Sequence, residues 1–153
     1  MTLRGLKVGG LTTGEIREEG TRVGFSIENL LTHEHGTLAS LGLRNGPSVG
    51  KYHVNLTDLE EIGVRAIRQA IDTSEVIILD ELGPMELHSQ QFVESVERLL
   101  TSPKHLLATV HKHAQHPLIL RIRSNLNSVI LEVTTKNRDQ LPGELVKRLV
   151  AAR

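Results

Sequence analysis

Val76-Ile77-Ile78-Leu79-Asp80-Glu81 is the stretch on which the fold turns. Four apolar residues in a row, three of them β-branched, do not alternate as a half-exposed strand would. With Glu75 they predict a strand over 75–79 that is buried on both faces of a parallel sheet. Two acids follow at once, the Walker B pattern. In open α/β sheets ligands gather at the C-terminal ends of the strands, which is where Asp80 and Glu81 emerge. Asp80 can then hold magnesium through a water, and Glu81 can orient or deprotonate a water that attacks a γ-phosphate. The alternative is a buried strand whose exit is simply marked by acids. So short a pattern does not by itself choose between the two.

Downstream of this run, helical and strand patterns alternate. Ser89 to Leu100 carries Phe92, Val93, Val96, Leu99 and Leu100 at helical spacing. A strand is predicted over 105–110, a short helix over 116–123, a strand over 128–133 and a closing helix over 141–150. Upstream, a helix opens at Asn55, with Thr57 as N-cap and Glu60 three residues on. Its apolar stripe is Leu59, Ile62, Ala66, Ile67 and Ala70. The first third is different in texture: glycine-rich, with strands over 6–16, 22–31 and 37–41. Turns are predicted at Glu19-Gly20, His35-Gly36 and Asn45-Gly46-Pro47. The expected class is α/β: a doubly wound, mostly parallel sheet with an antiparallel extension from residues 6–41. No repeat or linker divides residues 1–153, so a single domain is expected.

Composition narrows the function. Lysine plus arginine equals aspartate plus glutamate at 18 each, and aromatics are 2%. That leaves neither the charge nor the stacking surface of a nucleic-acid binder. There is no cysteine, which removes disulfides, thiol nucleophiles and cysteine-ligated zinc. Without a signal peptide or membrane span in the sequence, a cytoplasmic protein with no membrane partner is expected. His111, His113 and His116 match no standard metal spacing and read as loop histidines.

Several separated motifs point the same way. Asp80-Glu81-Leu82-Gly83-Pro84-Met85-Glu86-Leu87 resembles the "DEIG-x-MEL" signature of the thermophilic nucleoside-triphosphatases, whose animal members are called cancer-related nucleoside-triphosphatases. Thr13-Gly14-Glu15-Ile16-Arg17 is similar to that family's "T-x-E-[IV]-R", and Arg22-Val23-Gly24-Phe25 to its "R-x-GF". Val49-Gly50-Lys51-Tyr52-His53-Val54-Asn55 resembles "VG-x-Y-x-VN", and Asn137-Arg138-Asp139 its "NRD". Thr109-Val110-His111 and His116-Pro117 fall where the family has a strand end and a helix start.

The resemblance implies a P-loop fold of RecA-like type and hydrolysis of ATP, GTP and related nucleoside triphosphates with Mg2+. It implies Asp80 at the metal, Glu81 as the catalytic group, and nucleotide contacts along Ile77, Ile78, Leu79, Asp80, Glu81, Leu82, Gly83 and Pro84. Arg17 is the better phosphate donor of the pair Arg17 and Arg22, both of which also read as solvated strand charges. Asn137 and Arg138 either cap the last helix or touch a nucleobase. Glu86 is either an acid favoured at a helix start or a group just behind the magnesium.

One departure bears on activity. The family's "G-x-x-G-x-GK-[ST]-T" phosphate loop has no counterpart in residues 1–153. The resemblance therefore implies near-background hydrolysis from these residues alone, or a scaffold or weak nucleotide binder in place of an enzyme. Asn45-Gly46-Pro47-Ser48-Val49-Gly50-Lys51-Tyr52 is superficially similar to such a loop. Asn45 stands where the first glycine belongs, however, and Tyr52 where a magnesium-binding hydroxyl belongs. The family's phosphate-loop strand is expected to pair directly with the strand over 75–79. Its absence from these residues predicts one of three outcomes: the sheet closes up so that another strand pairs there, a second copy supplies a strand, or the gap stays open to water. An exposed apolar edge favours a homodimer or aggregation.

Overall fold

The structure, a computed structural model, describes residues 2, 3 and 5–152. The antiparallel part comes first in the chain: β1 (Thr2–Leu3), β2 (Leu6–Glu18), β3 (Thr21–Asn29) and β4 (His35–Ser40), then the small hairpin of β5 (Ser48–Val49) and β6 (Tyr52–Val54). Next, α1 (Leu56–Asp58) runs through a π-helical stretch (Leu59–Val64) into α2 (Arg65–Thr73). β7 (Val76–Leu82), α3 (Gln90–Leu100), β8 (His105–Val110), α4 (Pro117–Ser124) and α5 (Leu141–Ala151) complete the order. One mixed sheet results, with strand order β5-β6-β4-β3-β2-β7-β8 and β1 beside β2. The class is α/β, with the antiparallel extension where the sequence placed it.

Strand β2 joins the two halves of the sheet. Its Val8–Thr12 portion pairs in parallel with β7, and from Leu11 onward it pairs antiparallel with β3. On its other side β7 pairs in parallel with β8. The parallel core is therefore β2-β7-β8, and β7 is buried on both faces. Ile77 and Leu79 enter a cluster with Leu59, Ile67 and Ala70 of the long helical segment and with Phe92, Val96, Leu99, Leu118 and Ile119. Val76 faces the opposite side with Leu6 and Val8, and there Ile78 packs with Leu149 and Val150 of α5. Burying one such aliphatic side chain is worth about 1.5–3 kcal/mol, and that is the drive which sets β7 between layers of helix.

Four local expectations are corrected. The N-cap of α1 is Asn55, whose Oδ1 accepts the Asp58 N–H at 3.1 Å. Thr57 lies inside the first turn. The turn expected at His35-Gly36 falls at 30–32, and β4 has already begun at His35. The strand expected over 128–133 is absent: the stretch is irregular, with Val129 71% and Val133 64% exposed. A β-branched run makes a strand only where a neighbour takes its backbone groups, and none does so here. Finally, β7 has not lost a neighbour, because β2 and β8 hold both its edges. Within the parallel core β2-β7-β8 it is β8 that pairs on one side alone among the described residues. No helix among the described residues is long and apolar enough to cross a membrane.

Close approach of β2 to β7 rests on Gly10. Its φ is +114°, and a Cβ there would lie 2.0 Å from the carbonyl oxygen of Ile78. Backbone cannot retreat as a flexible side chain can. Gly10→Ala is therefore expected to cost roughly 2–4 kcal/mol in urea unfolding, from the unfavourable φ and the overlap together.

Candidate active site

The three parallel strands bring their C-terminal ends to one place. Asp80 lies beside Thr12 of β2. From β8, the Thr109 hydroxyl donates to Asp80 Oδ1 at 2.6 Å. The β7–β8 register shifts between Leu79 and Leu82, which lets Thr109 reach Asp80. The Asp80–Glu81 peptide is cis. Asp80 and Glu81 are both half-buried at this edge, whereas Ile77, Leu79 and Leu82 turn their side chains fully into the core.

Beyond Glu81 the chain turns through Gly83, Pro84 and Met85 into a short 3-10 turn (Glu86–His88). Glu86 is only 2% exposed, and its Oε2 accepts the Gly83 N–H at 3.1 Å. Burial pushes the Glu86 carboxyl up from 4.5 to about 7, with the nearby Glu81 and Asp80 charges adding to the shift. Its hydrogen bonds to backbone N–H groups oppose it. A cavity of about 80 Å³ is lined by Glu81, Glu86, Thr13, Phe25, Val49 and Met85, with Leu38 and Pro84.

The other expected site residues are placed elsewhere. Arg17 lies five residues beyond Thr12 along β2, a rise of about 16 Å at strand geometry. Its guanidinium is held at the hairpin by Glu15 and by the Gly20 carbonyl. Arg22 is paired with Glu15 and donates to the Tyr52 hydroxyl. Asn137 closes its own loop, accepting from Thr134 N–H and donating to the Glu132 carbonyl. Arg138 is exposed next to Asp139. The stretch 45–52 is no phosphate loop: β5 and β6 form a hairpin whose turn is Gly50-Lys51. The His111 and His113 rings stand 6.3 Å apart. Among the described residues no three acids or histidines converge as a metal cage.

Sequence reasoning missed Thr109 as a site residue. The signal was a hydroxyl near the end of an otherwise apolar strand, Leu106-Leu107-Ala108-Thr109-Val110. It acquires meaning only when the register sets it beside Asp80.

A mixed α/β sheet with acids at the end of its central parallel strand is the arrangement expected of a nucleoside-triphosphatase body of the P-loop class. Comparison with known proteins is consistent with this at each level. A family profile described as NTPase matches residues 1–146, and the chain belongs to that family. It is 49% identical to the nucleoside-triphosphatase THEP1 of Methanosarcina barkeri over 144 residues, covering 94% of this chain and 80% of that protein. To THEP1 of Thermofilum pendens it is 44% identical over 149 residues, with 97% and 82% covered. The crystal structure of THEP1 from the hyperthermophile Aquifex aeolicus superposes with a TM-score of 0.83 at 30% identity. That match covers 94% of this chain and 84% of the other.

The buried carboxyl gives a pH test with a definite sign. Because the folded value lies above the unfolded one, the folded state holds an extra proton between 4.5 and about 7. The associated stability is complete below 4.5 and lost as pH rises through about 7. Urea melts should show at most about 3 kcal/mol lost between roughly pH 5 and pH 8. Glu86→Gln is expected to remove most of that difference.

Proposed function

We propose that this chain hydrolyses nucleoside triphosphates, ATP and GTP among them, to the diphosphate and phosphate with Mg2+, Asp80 serving the metal and Glu81 the water. The observation that carries this reading is the fixed Asp80 carboxylate at the C-terminal end of β7, held by Thr109 and followed directly by Glu81. The side chains of Asp80, Glu81 and Thr109 at this edge offer oxygen atoms only, with the Asp80 carboxylate the one assigned to the metal. Such a set suits magnesium, which takes one or two carboxylates and completes its octahedron with water and substrate phosphate. A metal held by Asp80 would supply positive charge against the phosphates.

The residues of the chain have separate tasks. Thr109 orients Asp80 so that its carboxylate is aimed before the metal arrives. Glu81, next in sequence and half-buried, accepts a proton from the water that attacks the γ-phosphorus. The phosphates also need a cradle of backbone N–H groups and a lysine, and residues 1–153 contain no loop of that kind. A strand bringing such a loop would find its free edge at β8, next to Thr109 and one strand away from β7.

Phosphate release from ATP or GTP with magnesium is therefore expected near background for residues 1–153, and slow but measurable once an N-terminal phosphate-loop segment is joined to them. In that longer chain Glu81→Gln should lower turnover by about 100-fold or more while nucleotide binding is largely kept. Fast turnover by residues 1–153 alone would move the phosphate site to groups within them, Lys51 first.

We also propose self-association of residues 1–153 through the free β8 edge and the exposed run over 126–133. Light scattering should find mass rising with concentration, and less so with the N-terminal segment attached. Equally stable monomers in both forms would remove this proposal.

A further inference from the structure

Glu86 is the only acidic side chain among the described residues that is buried. Removing a carboxyl group from water costs several kcal/mol unless it is well hydrogen-bonded, and a methionine or leucine would fill the same space more cheaply. Merely closing the turn does not account for a carboxyl at this position. Two geometric facts say what it does instead.

The first is Gly83. A Cβ at this residue would sit 2.8 Å from Glu81 Oε1 and 3.0 Å from Glu86 Oε2. Both carboxyl groups thus crowd the space that a side chain at residue 83 would fill, and only glycine leaves it to them. The Gly83 N–H, donated to Glu86 at 3.1 Å, locks that arrangement. The second is the cavity of about 80 Å³ onto which both carboxyl groups open, together with Thr13. A cavity needs only about 10–15 Å³ and two to four polar partners to hold an ordered water. This one has the room, and its two carboxyls and one hydroxyl supply the partners.

We propose that Glu86 is a positioning residue for Glu81: by clamping the Gly83 N–H it fixes the turn over 82–85 and sets the Glu81 carboxylate, with a bridging water, at the mouth of the shared cavity. The inference rests on the reading of Glu81 as the group that takes the proton from water. It assigns Glu86 no contact with nucleotide or metal. Burial displaces the Glu86 carboxyl upward to about 7, which lessens its negative charge beside Glu81 and is in keeping with the clamp.

The clamp acts through an acceptor oxygen, so the amide of Glu86→Gln should replace it and the alkyl chain of Glu86→Leu should not. On residues 1–153, the Gly83 amide is expected to exchange with solvent slowly in the wild type and in Glu86→Gln, and about tenfold or more faster in Glu86→Leu. The carboxyl carbon resonance of Glu81 should move in Glu86→Leu and stay near its place in Glu86→Gln. In the chain joined to a phosphate-loop segment, Glu86→Leu should lose about 30-fold or more in kcat with KM for ATP within about threefold, and Glu86→Gln should recover most of the loss.

Three results overturn the proposal: a Gly83 amide that exchanges freely in the wild type, a Glu81 resonance indifferent to Glu86→Leu, or an effect confined to KM. If Glu86→Leu does not fold, Glu86→Met takes its place, with the same faster exchange at Gly83 and the same displacement of the Glu81 resonance expected. If the loop-bearing chain hydrolyses nothing, the functional reading fails. The clamp is then judged by the two resonance measurements, and its service to catalysis is withdrawn.

Discussion

Everything else in the molecule depends on β7 being paired along both edges and covered on both faces. Parallel strands cannot be joined by a tight turn, so each must return by a crossover that lies on the sheet. Here the helical segment 56–73 leads into β7, and α3 leads from β7 to β8. Those crossovers supply the apolar cover for Ile77 and Leu79, while α5 covers Val76 and Ile78 from the other side. Once β7 is fixed in this way, its last residues have no freedom about where they emerge. Asp80 and Glu81 are held at the sheet edge by the core beneath them.

The site inherits its geometry from two register relations and not from any local motif. Thr12 is level with Asp80 because β2 runs in parallel with β7 from Val8 onward. Thr109 reaches Asp80 because the β8 register slips by a residue just past Leu79. Gly10 permits the first relation, since any side chain there would meet the Ile78 carbonyl. The chemistry at the strand end therefore depends on a glycine two residues before Thr12, whose only task is to let two backbones approach.

What could be read in the sequence was what short-range pattern determines. A continuous β-branched run with acids at its end gave β7 and the position of Asp80 and Glu81. Helical spacing gave α3 within a residue, with Ser89 as a true N-cap accepting the Phe92 N–H. What could not be read was pairing. Nothing in Leu106-Leu107-Ala108-Thr109-Val110 says that β8 is the second neighbour of β7, so the open edge was assigned to the wrong strand. The same ignorance misplaced a strand over 128–133, where propensity is high but no backbone partner is available. Nor could the place of Arg17 be read: the family resemblance made it the better phosphate donor of its pair, and the length of β2 takes it to the far hairpin, where Glu15 and Gly20 engage it.

Glu86 shows where the two kinds of information meet. As a letter in a sequence it is one more surface acid at a helix start, and the helix dipole would be reason enough for it. Burial changes the meaning of the residue. A carboxyl that is 2% exposed, bonded only to backbone N–H groups and lining a small cavity together with a second acid, is unfavourable for stability at neutral pH. A fold that needed only a firm turn after β7 would be better served by an apolar side chain. The arrangement has a use if the residue six positions earlier can hold magnesium, and the one after that must keep its charge and its aim while a water is drawn toward phosphate. On that ground the acid at the strand end, its threonine clamp and the buried acid behind the turn form one unit. Asp80 is aimed from the β8 side by Thr109, and Glu81 from the turn side by Glu86. Thr109 reaches the strand end from the neighbouring strand and Glu86 from the turn that follows β7, so the two contacts share no residue.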